Sequence, residues 1–252
     1  MSRPIIVVKI GGSVLTGRSG YRRAADFLAS RIAADPSHAI VAVVSAELGD
    51  TDALLDTARD FVEAPDPAAL DLLWSTGELR STALLTLALH ARGVAASGGN
   101  VHQAGLFKDD DSAEPRIRPL RLRAALAGRD VVVVPGFLAR GRGDGIVSLG
   151  RGGSDLTAVL LAAGLGAVRC ELLKDVPGYF TADPKLDPGA VQMPVLSYER
   201  AIHMADEGCE LVQRKALVAA RDHELDLIIT AIEGGPGTLI TTDHIHLESA
   251  VA

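Results

Sequence analysis

The sequence predicts an α/β fold in which a mostly parallel, open sheet lies between layers of helices. Short aliphatic runs alternate with longer helical stretches along the 252 residues, and this alternation indicates βαβ units. Hydrophobic residues make up 48% of the chain but aromatic residues only 4%. The expected core therefore consists of Ala, Val, Leu and Ile, as in parallel strands that helices cover on both faces.

Five aliphatic runs are expected to be strands, because each is short and bounded by Gly, Pro, Asp or Ser. They span residues 5–8, 40–45, 131–135, 169–173 and 227–232. Helices are expected at 21–33, 51–63, 68–92, 155–165, 198–206 and 214–223, with Thr51 as an N-cap. The connections predict right-handed βαβ units on one sheet.

Three other segments depart from this alternation. Residues 100–118 are polar and lack a helical pattern, so a surface loop or a small hairpin is expected there. The Gly-rich residues 141–145 predict the turn of a short antiparallel hairpin, and residues 236–240 predict a turn followed by a strand. No linker divides the chain, which indicates one domain.

Charge and cysteine content exclude several classes of function. The formal net charge of −7 argues against sequence-independent binding to nucleic acid, which needs Lys and Arg to neutralise phosphates. Only two cysteines occur, Cys170 and Cys209, too few for a disulfide framework. The N-terminus has no signal-peptide pattern, and no run approaches the roughly 18 apolar residues of a membrane span. We therefore expect a soluble, unprocessed, cytoplasmic protein that binds neither nucleic acid nor a membrane.

Two glycine-rich turns are the strongest functional signal. The first reads Lys9-Ile-Gly-Gly-Ser, and the second, residues 149–158, reads Leu-Gly-Arg-Gly-Gly-Ser-Asp-Leu-Thr-Ala. Glycines let the backbone approach a ligand, and the helix that follows adds a partial positive charge. A lysine at the end of a buried strand needs an anion, so Lys9 faces either a ligand or a salt bridge to Asp155 or Asp175. Together the turns predict a site for a polyanion.

Three further motifs lie where strands end or helices begin. Residues 173–185 start with a Lys-Asp pair at the end of a strand, where open α/β sheets bind ligands. A nucleotide pocket and a plain turn-rich loop both explain that segment. Residues 45–52 join a second strand to a helix, and residues 74–81 contain Glu78. An acidic residue in a first helical turn commonly serves only the helix dipole, which is the alternative for Glu78.

Taken in chain order, these motifs and the segment 236–240 resemble the amino-acid kinase superfamily, and most closely the catalytic domain of aspartate kinases. The resemblance implies an amino-acid kinase (carbamate-kinase-like) fold for residues 1–252. It implies a substrate-binding half of about residues 1–140 and a nucleotide-binding half of about residues 141–252. The regulatory domains of typical aspartate kinases are not expected.

The implied reaction transfers the γ-phosphoryl group of Mg-ATP to the side-chain carboxylate of aspartate or a related amino acid, giving an acyl phosphate. ATP and Mg²⁺ are the implied cofactors, with no metal ligand assigned to a side chain. The implied partners are a small amino-acid substrate and a second copy of the chain, in a homodimer through helices of the N-terminal half.

The resemblance also assigns residues to roles. The implied catalytic residues are Lys9 and Asp155. The implied substrate ligands are Ser45, Thr51, Glu78 and Arg151. The implied nucleotide-binding residues are Gly11, Gly12, Ser13, Gly152, Gly153, Ser154, Lys174, Asp175, Phe180, Asp183, Pro184, Lys185 and Arg214. Chemically, an Arg can hold a carboxylate through two parallel hydrogen bonds, and a Glu can pair with an ammonium group.

The chain departs from the family pattern at the phosphate side of the site. Where many members read Gly-Ala-Lys-Val-Leu-His-Pro, residues 208–214 read Gly-Cys-Glu-Leu-Val-Gln-Arg, so Glu210 replaces a lysine expected near the phosphates. Arg214, Lys215 and Lys174 are the candidates to replace that cation. In addition, Phe180 stands where a tyrosine is common.

Two alternatives to an aspartate kinase stay open. One is an enzyme of the same superfamily with another acceptor, such as an N-acylated amino acid or a phosphate monoester. An acceptor without an α-ammonium group has no use for Glu78. The other is a catalytically weak protein that binds nucleotide or amino acid, and the charge reversal at Glu210 is the observation that supports it.

Overall fold

The aliphatic runs form the centre of an eight-stranded sheet. The structure is a computed structural model that describes residues 3–109, 115–184 and 186–242. Its strands are β1 (Ile5–Ile10), β2 (Ala39–Val44), β3 (Ala96–Gly98), β4 (Leu106–Phe107), β5 (Arg116–Ile117), β6 (Val131–Pro135), β7 (Leu138–Arg140), β8 (Ile146–Ser148), β9 (Arg169–Lys174), β10 (Val195–Ser197), β11 (Leu227–Ala231) and β12 (Thr238–Thr241). Its α-helices are α1 (Gly17–Ala34), α2 (Asp50–Phe61), α3 (Pro67–His90), α4 (Val101–Ala104), α5 (Leu120–Leu126), α6 (Gly153–Leu165), α7 (Tyr198–Asp206) and α8 (Arg214–Asp222).

The strand order of the main sheet is β10-β12-β11-β9-β1-β2-β6-β3. All neighbours are parallel except β11 and β12, which are antiparallel. The five strands predicted from aliphatic runs are the contiguous central ones, and the predicted strand after residue 236 is β12. The two strands that were not predicted, β3 and β10, are the short edges.

Helices cover both faces of this sheet, as predicted. Along β1 the side chains alternate between the two faces, so that Ile5 and Val7 belong to one buried cluster and Val8 and Ile10 to the other. The first cluster contains the almost completely buried helix α6 together with α7 and α8, and the second contains α1 and α3.

A second, four-stranded sheet with the order β5-β4-β7-β8 corrects the prediction of a single sheet. The predicted hairpin around residues 141–145 is confirmed, because β7 and β8 pair antiparallel across it. In residues 100–118 the hairpin alternative is confirmed for β4 and β5, which pair antiparallel. The segment also contains the short helix α4, capped by Asn100, which was not expected. Residues 110–114 of that segment lie outside the described residues.

Two local expectations were wrong. The N-cap of α2 is Gly49, which adopts φ 87°, and Thr51 lies within the first turn of that helix. The helix α5 was not predicted, because its sequence begins Leu-Arg-Leu-Arg and this alternation imitates a strand. Within the described part of the chain, no helix combines the length and the apolar character needed to cross a membrane.

Candidate active site

The ends of three neighbouring strands define the candidate site. Ile10 of β1 pairs with Val44 of β2 and with Leu173 of β9, so these strands end at the same level. The residues that follow, Gly11 and Ser45, therefore lie together with Lys174 at one edge. This is the carboxyl edge of a parallel sheet, where open α/β proteins bind their ligands.

A buried carboxylate joins two lysines at this edge. Asp155, in the first turn of α6, lies 2.9 Å from the Nζ of Lys9 and 2.9 Å from the Nζ of Lys174. Lys9 is 6% exposed and Asp155 4%. Lys9 is on the same face of β1 as Val7, the face on which α6 packs. The salt-bridge partner predicted for Lys9 is thus Asp155 rather than Asp175.

The charges of this cluster are strongly coupled. Burial opposes ionisation of Asp155, but Lys9 and Lys174 outweigh it and lower the pKa of the carboxyl to about 2. Burial and the neighbouring charge of Lys9 lower the pKa of Lys174 to about 8, although Asp155 opposes this shift. One carboxylate thus faces two ammonium groups, and this net positive charge favours an anionic ligand.

The first glycine turn brings the backbone close to Lys9. A Cβ on Gly12 would lie 2.3 Å from the carbonyl oxygen of Ala46, and a Cβ on Gly11 would lie 3.5 Å from the Nζ of Lys9. The N–H of Gly11 donates to the carbonyl of Leu173 at 3.2 Å, which ties the turn to β9. Ser13 continues the turn as a half-buried residue. A side chain at Gly12 would force apart the two strand ends.

The second glycine turn leads into α6. Gly152 is the N-cap, with φ 70° and no side chain to cap the N–H groups at the start of α6, of which the Gly153 N–H donates to the Gly150 carbonyl at 2.8 Å. A Cβ at Gly152 would collide with Gln213, 2.1 Å away at its Cγ, so the turn also packs on the start of α8. Gly153 and Ser154 are buried, while Arg151 is exposed.

Glu78 is a buried acid beside the first glycine turn. It is 3% exposed and lies in the middle of α3, which rules out a dipole role in a first turn. Its Oε2 has no hydrogen-bond partner among the described residues. Burial raises the pKa of Glu78 to about 8, with Asp50 adding to the rise, although an Ala46 backbone hydrogen bond and the charge of Lys9 oppose it. A cationic ligand would stabilise the ionised form of this buried carboxyl group.

A polar network around Glu78 was missed by the sequence reasoning. Glu47 accepts hydrogen bonds from the Gly17 N–H at 3.0 Å and from the Tyr21 hydroxyl at 3.1 Å. Arg80, two residues after Glu78, pairs with Asp50. The sequence singles out the segment 45–52, which contains Glu47 and Asp50. Nothing in a single sequence, however, links α1 to α3. These contacts tie the segment after β2 to α1 and α3.

The other predicted substrate ligands border the same region. Ser45 is half-buried and follows β2 directly, and its N–H donates to the Ile10 carbonyl at 3.3 Å. Thr51 is half-buried in α2, and its carbonyl accepts the indole N–H of Trp74 at 3.0 Å. Within the described chain, no hydrogen bond or ion pair holds the Arg151 side chain. It therefore remains available to a ligand.

The predicted nucleotide loop follows β9. Asp175, Asp183 and Pro184 are exposed and Phe180 is half-buried, with a single antiparallel bridge to Gln192. Lys185 lies outside the described residues. Arg214 is exposed, and its Nε donates to Asp206 at 2.8 Å. Of the predicted nucleotide-binding side chains, Lys174 is the one that joins the Lys9–Asp155 cluster in the described part of the chain.

Tyr179, which the sequence reasoning did not select, anchors this loop. It is 1% exposed, and its N–H donates to the Thr238 hydroxyl at 2.8 Å. Cys209 and the Val212 backbone both act on the pKa of its hydroxyl, which places Tyr179 beside the segment before α8. The loop 175–184 and the segment 209–213 are thus neighbours.

The side chains present fit a nucleoside triphosphate better than a protein-bound metal. Lysines, open helix ends and glycine turns are the groups that hold phosphates. No group of three or more His, Cys, Asp or Glu that could hold a metal ion occurs in the described residues. Mg²⁺ commonly binds through substrate phosphates with few protein ligands, so Lys9, Lys174 and the glycine turns are the residues that would hold a magnesium nucleotide.

The fold and this site together define an α/β protein with a buried Lys-Asp-Lys cluster and two glycine turns at the carboxyl edge of its sheet. The model of the amino acid kinase family matches residues 4–231. The chain belongs to this family.

Relatives and solved structures agree with this assignment. An aspartate kinase of Pseudomonas putida is 35% identical over 243 residues, which cover 95% of this chain and 59% of the relative. An aspartokinase of Thermus thermophilus is 35% identical over 251 residues, 98% of this chain and 62% of the relative. The aspartate kinase structure from Synechocystis superposes with a TM-score of 0.82 and 33% identity, covering 94% of this chain and 40% of that one. The chain therefore has the amino-acid kinase fold and spans about 60% of the length of these two relatives.

Proposed function

We propose that this chain is an ATP-dependent kinase that phosphorylates the side-chain carboxylate of aspartate or a related amino acid. The observation that carries the proposal is the buried Lys9–Asp155–Lys174 cluster, which lies between two glycine turns and has Glu78 on its other side. The two relatives named aspartate kinase and aspartokinase support the choice of reaction.

The proposed reaction needs positioning and charge more than acid–base chemistry. A carboxylate oxygen of the substrate forms a bond to the γ-phosphorus, the bond to the β–γ bridging oxygen breaks, and ADP leaves with an acyl phosphate as the other product. The attacking carboxylate is already ionised, so no general base is required. Lys9 stabilises negative charge on the transferring group, and Asp155 holds Lys9 in place.

The substrate half, about residues 1–140, would bind the amino acid. Glu78 would pair with the α-ammonium group, and Arg151 would reach over from the second glycine turn to hold a carboxylate. Ser45 and Thr51 would supply polar contacts at the end of β2. The unpartnered Oε2 of Glu78 supports this assignment, because a buried polar atom without a partner needs one from a ligand.

The nucleotide half, about residues 141–252, would bind ATP together with the first turn. Gly11, Gly12 and Ser13 would contact the transferring phosphate, and the start of α6 would contribute its positive end. Lys174 and the loop that follows would enclose the nucleotide. Mg²⁺, when bound with the nucleotide, supplies charge neutralisation on the phosphates.

We also propose a homodimer and a cytoplasmic location. On α3, Leu84 is 38% exposed and Leu87 62%, and their spacing places them on one helical face. This apolar face in the N-terminal half supports association through that helix. The two free cysteines, Cys170 and Cys209, support a reducing compartment.

An acceptor panel tests the proposed function. ADP release would be measured with aspartate, glutamate, their N-acyl derivatives and a phosphate monoester as acceptors. We expect turnover with an amino acid that keeps its ammonium group, and strong loss of it in Lys9→Ala and Asp155→Ala. Unchanged turnover in both variants would exclude the proposed site, and preference for an N-acylated acceptor would exclude the role of Glu78.

A further inference from the structure

Lys215, in the first turn of α8, reaches back to the second glycine turn. Its Nζ donates to the carbonyl oxygen of Leu149 at 2.5 Å. The same atom is 3.8 Å from the position that a Cβ on Gly150 would take, and the residue is half-buried. The ammonium group thus lies on the turn that carries Asp155.

The positive charge of Lys215 lies at the positive end of the α8 dipole, where a cation is unfavourable. A helix N-terminus is positive and favours acidic residues, but the first turn of α8 contains Arg214 and Lys215 and no acidic residue. Its N-cap, Gln213, provides no side-chain cap and packs against Gly152, the N-cap of α6. Two helix N-termini therefore adjoin where Lys215 lies, and local rules of this kind are commonly broken at functional sites.

The surroundings of Lys215 leave its charge uncompensated. Burial and the charge of Lys108 lower the pKa of Lys215, although Asp155 opposes the shift. In the described part of the chain the recorded hydrogen bond of its ammonium group is to a neutral carbonyl, and no carboxylate forms an ion pair with it. Asp155, whose charge acts on Lys215, already forms ion pairs with Lys9 and Lys174.

The two other cations that could replace a lysine at position 210 are each bonded to a carboxylate. Arg214 is exposed and bonded to Asp206 at 2.8 Å. Lys174 is bound to Asp155 within the cluster. At position 210 the chain has an exposed glutamate.

We infer that Lys215 contacts the outer phosphates of the nucleoside triphosphate and supplies the cation that is missing at position 210. The inference rests on the proposed function, because the triphosphate is the anion that function names. Lys215 approaches from the C-terminal half, beside the segment that packs on Tyr179 of the nucleotide loop. This places its charge on the nucleotide side of the site.

Titration calorimetry with paired nucleotides tests the inference. Lys215→Met is compared with the wild type for binding of Mg-ATP, which has outer phosphates, and of AMP, which lacks them. We expect the Kd for Mg-ATP to rise about 10-fold, because Lys215→Met removes a hydrogen bond between charged groups. The Kd for AMP should stay unchanged. Lys215→Arg, which keeps the charge, should recover most of the affinity, and this variant guards against a misfolded Lys215→Met.

Matched variants separate a contact between Lys215 and the phosphates from the effect of the protein's net charge on nucleotide binding. Arg221→Met removes a cation from the far end of the same helix and should bind Mg-ATP as the wild type does. The inference fails if Lys215→Met binds Mg-ATP normally, if AMP is weakened equally, or if Arg214→Met has the larger effect. Normal Mg-ATP binding by Lys215→Met in a protein that phosphorylates aspartate would overturn this inference alone. A wild-type protein that binds neither Mg-ATP nor tripolyphosphate would overturn the proposed function as well.

Discussion

At the scale of single residues, Asp155 is the centre of the site. It separates two buried ammonium groups, each 2.9 Å away. Breaking a buried ion pair by removing one partner commonly costs about 3–5 kcal/mol, because a buried charge remains uncompensated. The stability of the cluster and its proposed chemistry thus depend on the same carboxylate.

We predict that Asp155→Asn lowers the free energy of unfolding by about 3–5 kcal/mol at pH 6. The loss should be smaller at pH 9, because the pKa of Lys174 is only about 8 and part of the positive charge disappears there. Urea unfolding at both pH values measures the difference. Asp60→Asn, at an exposed position of α2, is the control. An equal loss at both pH values would contradict the proposed coupling.

Glu78 predicts a pH dependence for the acceptor. Because burial raises the pKa of Glu78 to about 8, most of its carboxyl groups are protonated at pH 6. Binding of an ammonium group favours the ionised form, so the KM for aspartate should fall as the pH rises from 6 to 8, by at most about tenfold per pH unit. Glu78→Gln should raise the KM and abolish this slope. A slope that persists in Glu78→Gln would mean that another group titrates.

Single residues were predictable where the residue type conflicts with its place in the chain. Lys9 at the end of an apolar strand and Asp155 after a glycine turn are such conflicts, and the structure joins them. The partnership of Tyr21 with Glu47 and of Arg80 with Asp50 was not predictable, because it depends on how α1, α2 and α3 pack.

At the scale of elements, the two glycine turns determine how closely strands and helices meet. Gly12 lies against Ala46, and Gly152 lies against Gln213. In both places the contact is between backbone or near-backbone atoms, so little adjustment is possible. The turns therefore fix the separation of β1 from β2 and of α6 from α8.

We predict that Gly12→Ala impairs both stability and activity. Its new Cβ would lie 2.3 Å from the Ala46 carbonyl oxygen, and forced overpacking commonly costs about 1–3 kcal/mol. Thermal unfolding and the ADP-release assay would be run side by side. Gly145→Ala is the matched control, because its Cβ would meet only ordinary contact at 3.6 Å, from the Arg142 carbonyl oxygen. Equal behaviour of the two variants would exclude a steric role for Gly12.

The strands that are most completely buried were the ones that the sequence predicted. The five central strands are continuous apolar runs and were all identified. The three-residue edge strands β3 and β10 carry too few residues for a period to be visible. The second sheet depends on pairing between β4 and β7, a contact that no local pattern specifies.

At the scale of the whole molecule, one apolar helix face is left on the surface of the N-terminal half. Leu84 and Leu87 lie on α3, the helix that also carries Glu78. The helical repeat places the exposed Leu87 on the opposite side of α3 from the buried Glu78. The proposed dimer can thus be tested independently of the chemistry.

We predict that sedimentation analysis shows a dimer and that the double variant Leu84→Glu/Leu87→Glu shifts it to a monomer. Charges placed in an apolar interface would be buried without partners on association. Leu120→Glu, at a leucine of α5 that is 77% exposed, should leave the dimer intact. A wild-type monomer, or a double variant that still dimerises, would rule out association through this face.

We propose that the Lys9–Asp155–Lys174 cluster promotes phosphoryl transfer from ATP to a carboxylate. Trapping with hydroxylamine tests it most directly, because an acyl phosphate reacts to give a hydroxamate that can be measured by its colour with ferric ion. We predict hydroxamate that depends on both aspartate and Mg-ATP and that disappears in Lys9→Met. ADP release without hydroxamate, or equal hydroxamate in the wild type and Lys9→Met, would contradict it.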